Sequence, residues 1–157
     1  MNKEFLKQGF VVFICALLLT GLYSISSYSY LLFHSIVEII SIVIACSIFM
    51  FTWNSRKLLT NSYLVIVGIT YVFIGGIDFL HTLSYKGMGI FKGYDANLPT
   101  QLWIGSRYLQ SLCFLAAPFF MTRKIKYSGV FIFLGFVVLL FLLSVFYWEN
   151  FPVCFIE

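Results

Sequence analysis

Five ionisable side chains stand inside apolar runs of this sequence: His34, Glu38, Asp78, His81 and Arg107, and both histidines of the chain are among them. Two imidazoles with two carboxylates are a donor set for zinc or another divalent transition metal. The same imidazoles change charge near pH ~6.5 and can read protons. A guanidinium beside carboxylates forms charge-paired hydrogen bonds that a small polar ligand can join. Where such groups lie in a membrane-spanning stretch, each costs about 2.5–3.5 kcal/mol even on the lenient insertion scale, which makes each one a functional hypothesis.

Their spacing puts them on common faces. His34 and Glu38 are four residues apart, Asp78 and His81 three, and Trp103 and Arg107 four, so each pair shares one side of a helix. At a rise of 1.5 Å per residue, both histidines are expected about 5 Å below the outer membrane edge, with Glu38, Asp78 and Arg107 about 9–11 Å deep. Ser41, Tyr71, Gln110 and Ser111 continue the same faces. The expectation is one polar pocket in the outer half of the bilayer. Competing readings are plainer: histidines as interfacial anchors, Glu38, Asp78 and Arg107 as a structural network joining helices, Trp103 as an aromatic-belt residue, and Gly75 with Gly76 as packing sites.

The elements that must position these residues are membrane helices. The 157 residues are 61% hydrophobic and 10% charged, against about 25% charged in a soluble domain. Mean hydropathy is +0.98. Five stretches have the roughly 20 apolar residues that a span needs, over about 9–27, 31–53, 62–84, 101–121 and 129–148. The predicted fold is an all-α polytopic transmembrane bundle. The first run resembles a signal peptide but is read as an anchored helix, because further spans follow.

Lysine and arginine set the orientation. Lys3, Lys7, Arg56, Lys57, Arg123, Lys124 and Lys126 fall on one side, and Lys86 and Lys92 on the other, so the N-terminus is expected in the cytoplasm. The 85–100 loop, with its glycines and Pro99, is read as turns. The four cysteines are widely separated and show no CxxC spacing, which argues against a disulfide framework or a thiolate metal site. No phosphate loop, GxSxG, HExxH or dinucleotide fingerprint occurs, and no nucleophile–base pair can be argued, so the chain is not read as an enzyme. Nor is it read as a nucleic-acid partner. The inner halves of the spans turn apolar again, against a transport path.

The segments "FHSIVEI", "IDFLHTLSYKGMGIF" and "TQLWIGSRYLQ", with "FP.C" after one further helix, resemble the membrane-associated sensor domain of the third MASE type, over roughly residues 30–157. That resemblance implies a bacterial sensory input module in the cytoplasmic membrane, coupled to a histidine kinase or a cyclic-dinucleotide enzyme. It implies His34, Glu38, Asp78, His81, Trp103 and Arg107 as the polar signature. A homodimer is a further expected partner arrangement. The sequence ends at "FPVCFIE", just after the fifth span, which reads as a domain missing its last helices and its output. The alternative from another class is a redox protein in which His34 and His81 are axial ligands of a b-type haem.

Overall fold

The computed structural model describes residues 3–59, 61–123 and 125–156, so Lys124 of the orientation argument lies outside the described residues. The architecture is helical, with no strand among those residues. Helices α1 (Lys3–Tyr28), α2 (Tyr30–Ser55), α3 (Ser62–Ser84), α4 (Asn97–Ala116) and α5 (Tyr127–Phe146) follow in order. The chain divides into two compact units, residues 1–37 and 38–157.

The first unit holds α1 and the opening turns of α2. A single residue, Ser29, separates these helices. Its N–H donates to the Ile25 carbonyl at 2.9 Å, and its own carbonyl accepts from Phe33 N–H at 3.0 Å, so the helical ladder passes through the junction. The Ser29 hydroxyl also accepts from Leu32 N–H at 3.3 Å, as an N-cap does. The first two predicted spans are therefore joined without a loop.

In the second unit α3 lies at the centre. Its ends are set by local chemistry: the Asn61 side chain caps the N-terminus by accepting from Tyr63 N–H at 2.9 Å. Its bounds coincide with the predicted 62–84 span. Ile77 packs with Leu98, Leu102 and Val145, and Val65 and Ile69 pack with Leu134, which fastens α3 to α4 and α5. Between hydrocarbon-facing helices little hydrophobic force acts, so close packing and polar contacts must hold the bundle. Small residues supply the closeness. A Cβ on Gly68 would fall 1.7 Å from Thr52 Oγ1, and one on Gly75 would fall 3.3 Å from Ala45 Cβ. Gly75 is thus a packing position against α2, whereas a Cβ on Gly76 would meet open space. Gly105 opens α4 in the same way to the Phe141 ring of α5.

The 85–96 connection is a 3-10 turn at Lys86–Met88 followed by Gly89 and Gly93 at φ 65° and 91°, conformations that glycine adopts without a Cβ penalty. Pro99, expected in this loop, lies in the first turn of α4, where a missing N–H removes no helical bond. Helix α4 accordingly starts before the predicted span and ends before it too, in a 3-10 turn at Ala117–Phe120 that contains Pro118. Four helices, α1, α2, α3 and α5, are long and apolar enough to cross a membrane by length and composition. Helix α4 carries Gln101, Arg107 and Gln110 and is the least apolar of the five.

The ends of the second unit differ in character. The Ser62 hydroxyl donates to the Arg123 carbonyl at 2.7 Å, which joins the α2–α3 and α4–α5 connections at one end. Arg56, Lys57, Arg123 and Lys126 lie on those connections. The predicted polar residues of α3 lie toward the other end.

Candidate functional site

Asp78 of α3 and Arg107 of α4 would each be costly alone in hydrocarbon, and their pairing across the seam between the helices offsets that cost. Asp78, near the C-terminal end of α3, is 5% exposed. Its Oδ1 accepts from the Ser106 hydroxyl at 2.7 Å, and its Oδ2 takes the ion pair from Arg107 Nη2. Arg107 Nε donates to Ser106 Oγ at 3.2 Å, and Nη1 donates to Gln110 Oε1 at 2.8 Å. Asp78, Ser106 and Arg107 thus close a ring of hydrogen bonds in which both carboxylate oxygens are engaged. A carboxylate paired and hydrogen-bonded in this way is tolerable in a low-dielectric interior, and an unpaired one is not.

The network is asymmetric. Ser106 is fully buried, while the Arg107 side chain is 39% exposed. Arg107 opens onto a groove of about 290 Å³ that it lines with Trp103, Ile104, Tyr108 and Ser111. A guanidinium has five N–H donors, and three are used within the network among the described residues. The groove therefore presents a cation with donor capacity beside an exposed indole.

One turn after Asp78, buried His81 holds its Nδ1 2.8 Å from the Pro99 carbonyl of α4. A carbonyl only accepts, so the proton of this bond belongs to Nδ1. A carbonyl partner of this kind is one way in which metal-binding imidazoles are oriented. His81 also lines a cavity of about 280 Å³ with Tyr85, Lys86, Ala96, Pro99, Thr100 and Phe155. Glu38 of α2 is half-buried and interacts electrostatically with His81, Asp78 and Arg107. Three helices of the second unit therefore converge on one charged region.

His34 belongs to the first unit, one helical turn before Glu38 along α2. Its ring stacks on Tyr30 with centroids 6.1 Å apart. Of the flanking residues expected to extend the polar face, Gln110 joins the network. Ser111 donates to the Arg107 carbonyl at 2.8 Å, as a helix-internal bond. Tyr71 instead packs on Phe114, with ring centroids 5.6 Å apart. Ser41 is exposed.

Sequence reasoning missed Ser106 and Pro99, the two residues that lock Asp78 and His81 to α4. A small polar residue directly preceding an intramembrane arginine was the available signal for Ser106. It also missed how α4 holds the C-terminal segment. Gln101 Nε2 donates to the Phe151 and Pro152 carbonyls at 3.1 and 2.9 Å. Asn97 Oδ1 accepts from Cys154 and Phe155 N–H at 2.8 and 3.0 Å. Within the second unit, Glu38 and His81 have the chemistry of metal ligands, whereas Asp78 is already committed on both oxygens.

A family model described as MASE3, membrane-associated sensor domain, matches residues 25–157. No curated protein and no solved structure matches the chain.

Proposed function

Because the chain belongs to the MASE3 family of membrane-associated sensor domains, we propose that it is the sensory input part of a bacterial signal-transduction protein, reading its stimulus at the polar network of α3 and α4. It lies in the cytoplasmic membrane as a multi-pass bundle, with the basic end of the second unit in the cytoplasm and the Asp78–His81 end facing outward. The observation that carries this reading is the closed Asp78–Ser106–Arg107 ring with His81 fixed on Pro99, a charged junction inside an apolar bundle. Its stimulus is a small polar ligand, a metal ion or protons.

Each stimulus has its own point of entry. A polar ligand reaches Arg107 through the groove it shares with Trp103 and takes the donors that the network leaves over. A divalent transition metal takes Glu38 and His81. His34 enters that reading from the sequence alone, as the residue one turn before Glu38, and Asp78 serves it by fixing α4 through Arg107. Protons act on His81 by adding a charge beside Asp78 and Glu38, with the Nδ1–H bond to Pro99 still in place. In every case the event changes how α3 holds α4, and the domain works by that displacement rather than by catalysis. A histidine kinase or cyclic-dinucleotide enzyme receives it, and pairing with a second copy of the chain is compatible with such outputs.

Trp103 provides the test, since it lies beside Arg107. The chain is reconstituted in liposomes with Trp53 and Trp148 replaced by Phe, and Trp103 emission is followed against external pH and added zinc. One of these stimuli is expected to shift the emission, and His81→Gln is expected to remove the shift. An emission that responds to zinc or pH identically in wild type and His81→Gln counts against a site at His81. Metal analysis and an absorption spectrum of the same preparation separate the redox reading: a Soret band would replace the sensor assignment with a b-type haem protein on His34 and His81.

A further inference from the structure

Another hollow of the second unit lies away from the charged network, where α3, the end of α4 and the start of α5 meet. It measures about 380 Å³, within the about 300–1,000 Å³ of small-molecule pockets. Small residues create it: Cys113, Ala116 and Ala117 on one side and Gly129 on the other, between the rings of Phe120 and Phe133. Lys126 is the one charged residue among the described residues of its lining. Water needs two to four polar partners to settle in such a space, and this lining does not provide them. An empty hollow forfeits the dispersion contacts of every atom around it. The occupant is therefore apolar, and in a membrane bundle the surrounding solvent is itself acyl chain.

Charge identifies the head of that occupant. Lys126 is exposed, immediately precedes α5, and so stands at interface depth. Arg123 is exposed on the same connection. A second copy of the chain in the same membrane orientation would bring its own Arg123 and Lys126 to the same depth, where like charges repel. We infer that this hollow is a binding site for one acyl chain of an anionic phospholipid, whose phosphate is met by Lys126. The site is independent of the sensory reading, since none of its lining residues belongs to the Asp78 network.

Delipidated full-length chain in mild detergent, titrated with phosphatidylglycerol or phosphatidylcholine of matched chains and read by native mass spectrometry, tests this. One phosphatidylglycerol per chain is expected to be retained about fivefold or more over phosphatidylcholine, the scale of one basic residue near an anionic headgroup. Lys126→Gln is expected to bring the two lipids to near-equal retention. Gly129→Phe fills the hollow, with space for its Cβ because no atom lies within 4 Å of that position. It is expected to reduce retention of both lipids while gel filtration and circular dichroism stay unchanged. If Gly129→Phe fails to fold, Lys126→Gln alone decides. Equal retention of both lipids by wild type overturns the proposal, as does a phosphatidylglycerol preference that survives Lys126→Gln. So do retention of a free fatty acid in place of the phospholipid and a dimer whose formation excludes lipid.

Discussion

Asp78 is the buried member of its ion pair and Arg107 the half-exposed one, and that asymmetry decides what substitution does. Removing Arg107 leaves a carboxylate in the interior with only Ser106 to satisfy it, and breaking a buried pair from this side costs about 3–5 kcal/mol. Asp78→Asn keeps an acceptor for Ser106 and lets Arg107 swing into its groove, so the loss is smaller, about 1–3 kcal/mol. Thermal unfolding in detergent is expected to rank Arg107→Ala below Asp78→Asn; the reverse order would mean that the guanidinium is the partner that depends on the pair. Ser106→Ala removes a hydrogen bond to a charged group without removing charge and is expected to cost about 1.5–3 kcal/mol in the same assay. At this scale the charges were legible from their types and spacing, because an ionisable residue in an apolar run is conspicuous. Ser106 stood out less, since a serine beside an intramembrane arginine is a weak signal until the carboxylate of another helix lies 2.7 Å away.

At the scale of elements, α2 and α3 meet along small residues seven apart on each helix, Ala45 and Thr52 opposite Gly75 and Gly68. Adding one methyl at Gly68 collides with Thr52, a β-branched side chain with little freedom to move. Gly68→Ala is expected to lower stability by about 1–3 kcal/mol, the usual cost of overpacking. Thr52→Ala vacates that space and is expected to recover much of the loss in the double variant, whereas Gly76→Ala is expected to be silent. A Gly68→Ala protein as stable as wild type, or a double variant no better than Gly68→Ala alone, would disprove this seam. The α3 bounds were legible because a long, mostly apolar run ends at polar residues on both sides. The start of α4 was not. Pro99 reads as a turn residue, and only the first-turn position, where no helical N–H is needed, reconciles it with a helix. Nor could the junction at Ser29 be read. A small polar residue between two apolar runs looks like a loop, yet its backbone groups continue the ladder on both sides.

For the whole molecule, the second unit has a basic end at Arg56, Lys57, Arg123 and Lys126, and a site end at His81 and the 85–96 connection. The Ser62–Arg123 bond explains why the basic connections, distant in sequence, belong to one end. On intact cells, Lys92→Cys in a cysteine-free background is expected to react with a membrane-impermeant maleimide, and Lys57→Cys only after lysis; the opposite pattern inverts the orientation. The membrane setting was legible from composition, since a chain so poor in charge cannot cover a water-facing surface, and the helical class from apolar runs of about 20 residues. The family was legible from three short polar signatures, now supported by a match over residues 25–157. The stimulus was not, because imidazoles, carboxylates and a guanidinium in one chain suit a metal, protons and a polar ligand alike. The most direct measurement joins a diguanylate cyclase reporter to the N-terminal end, the one expected in the cytoplasm, in bacterial cells and reads cyclic-dinucleotide output across external pH and zinc, with membrane levels monitored. Asp78→Asn and His81→Gln are expected to change that output while Gly76→Ala and Trp148→Phe leave it as in wild type. Wild-type output from all four variants at normal membrane levels would contradict this expectation.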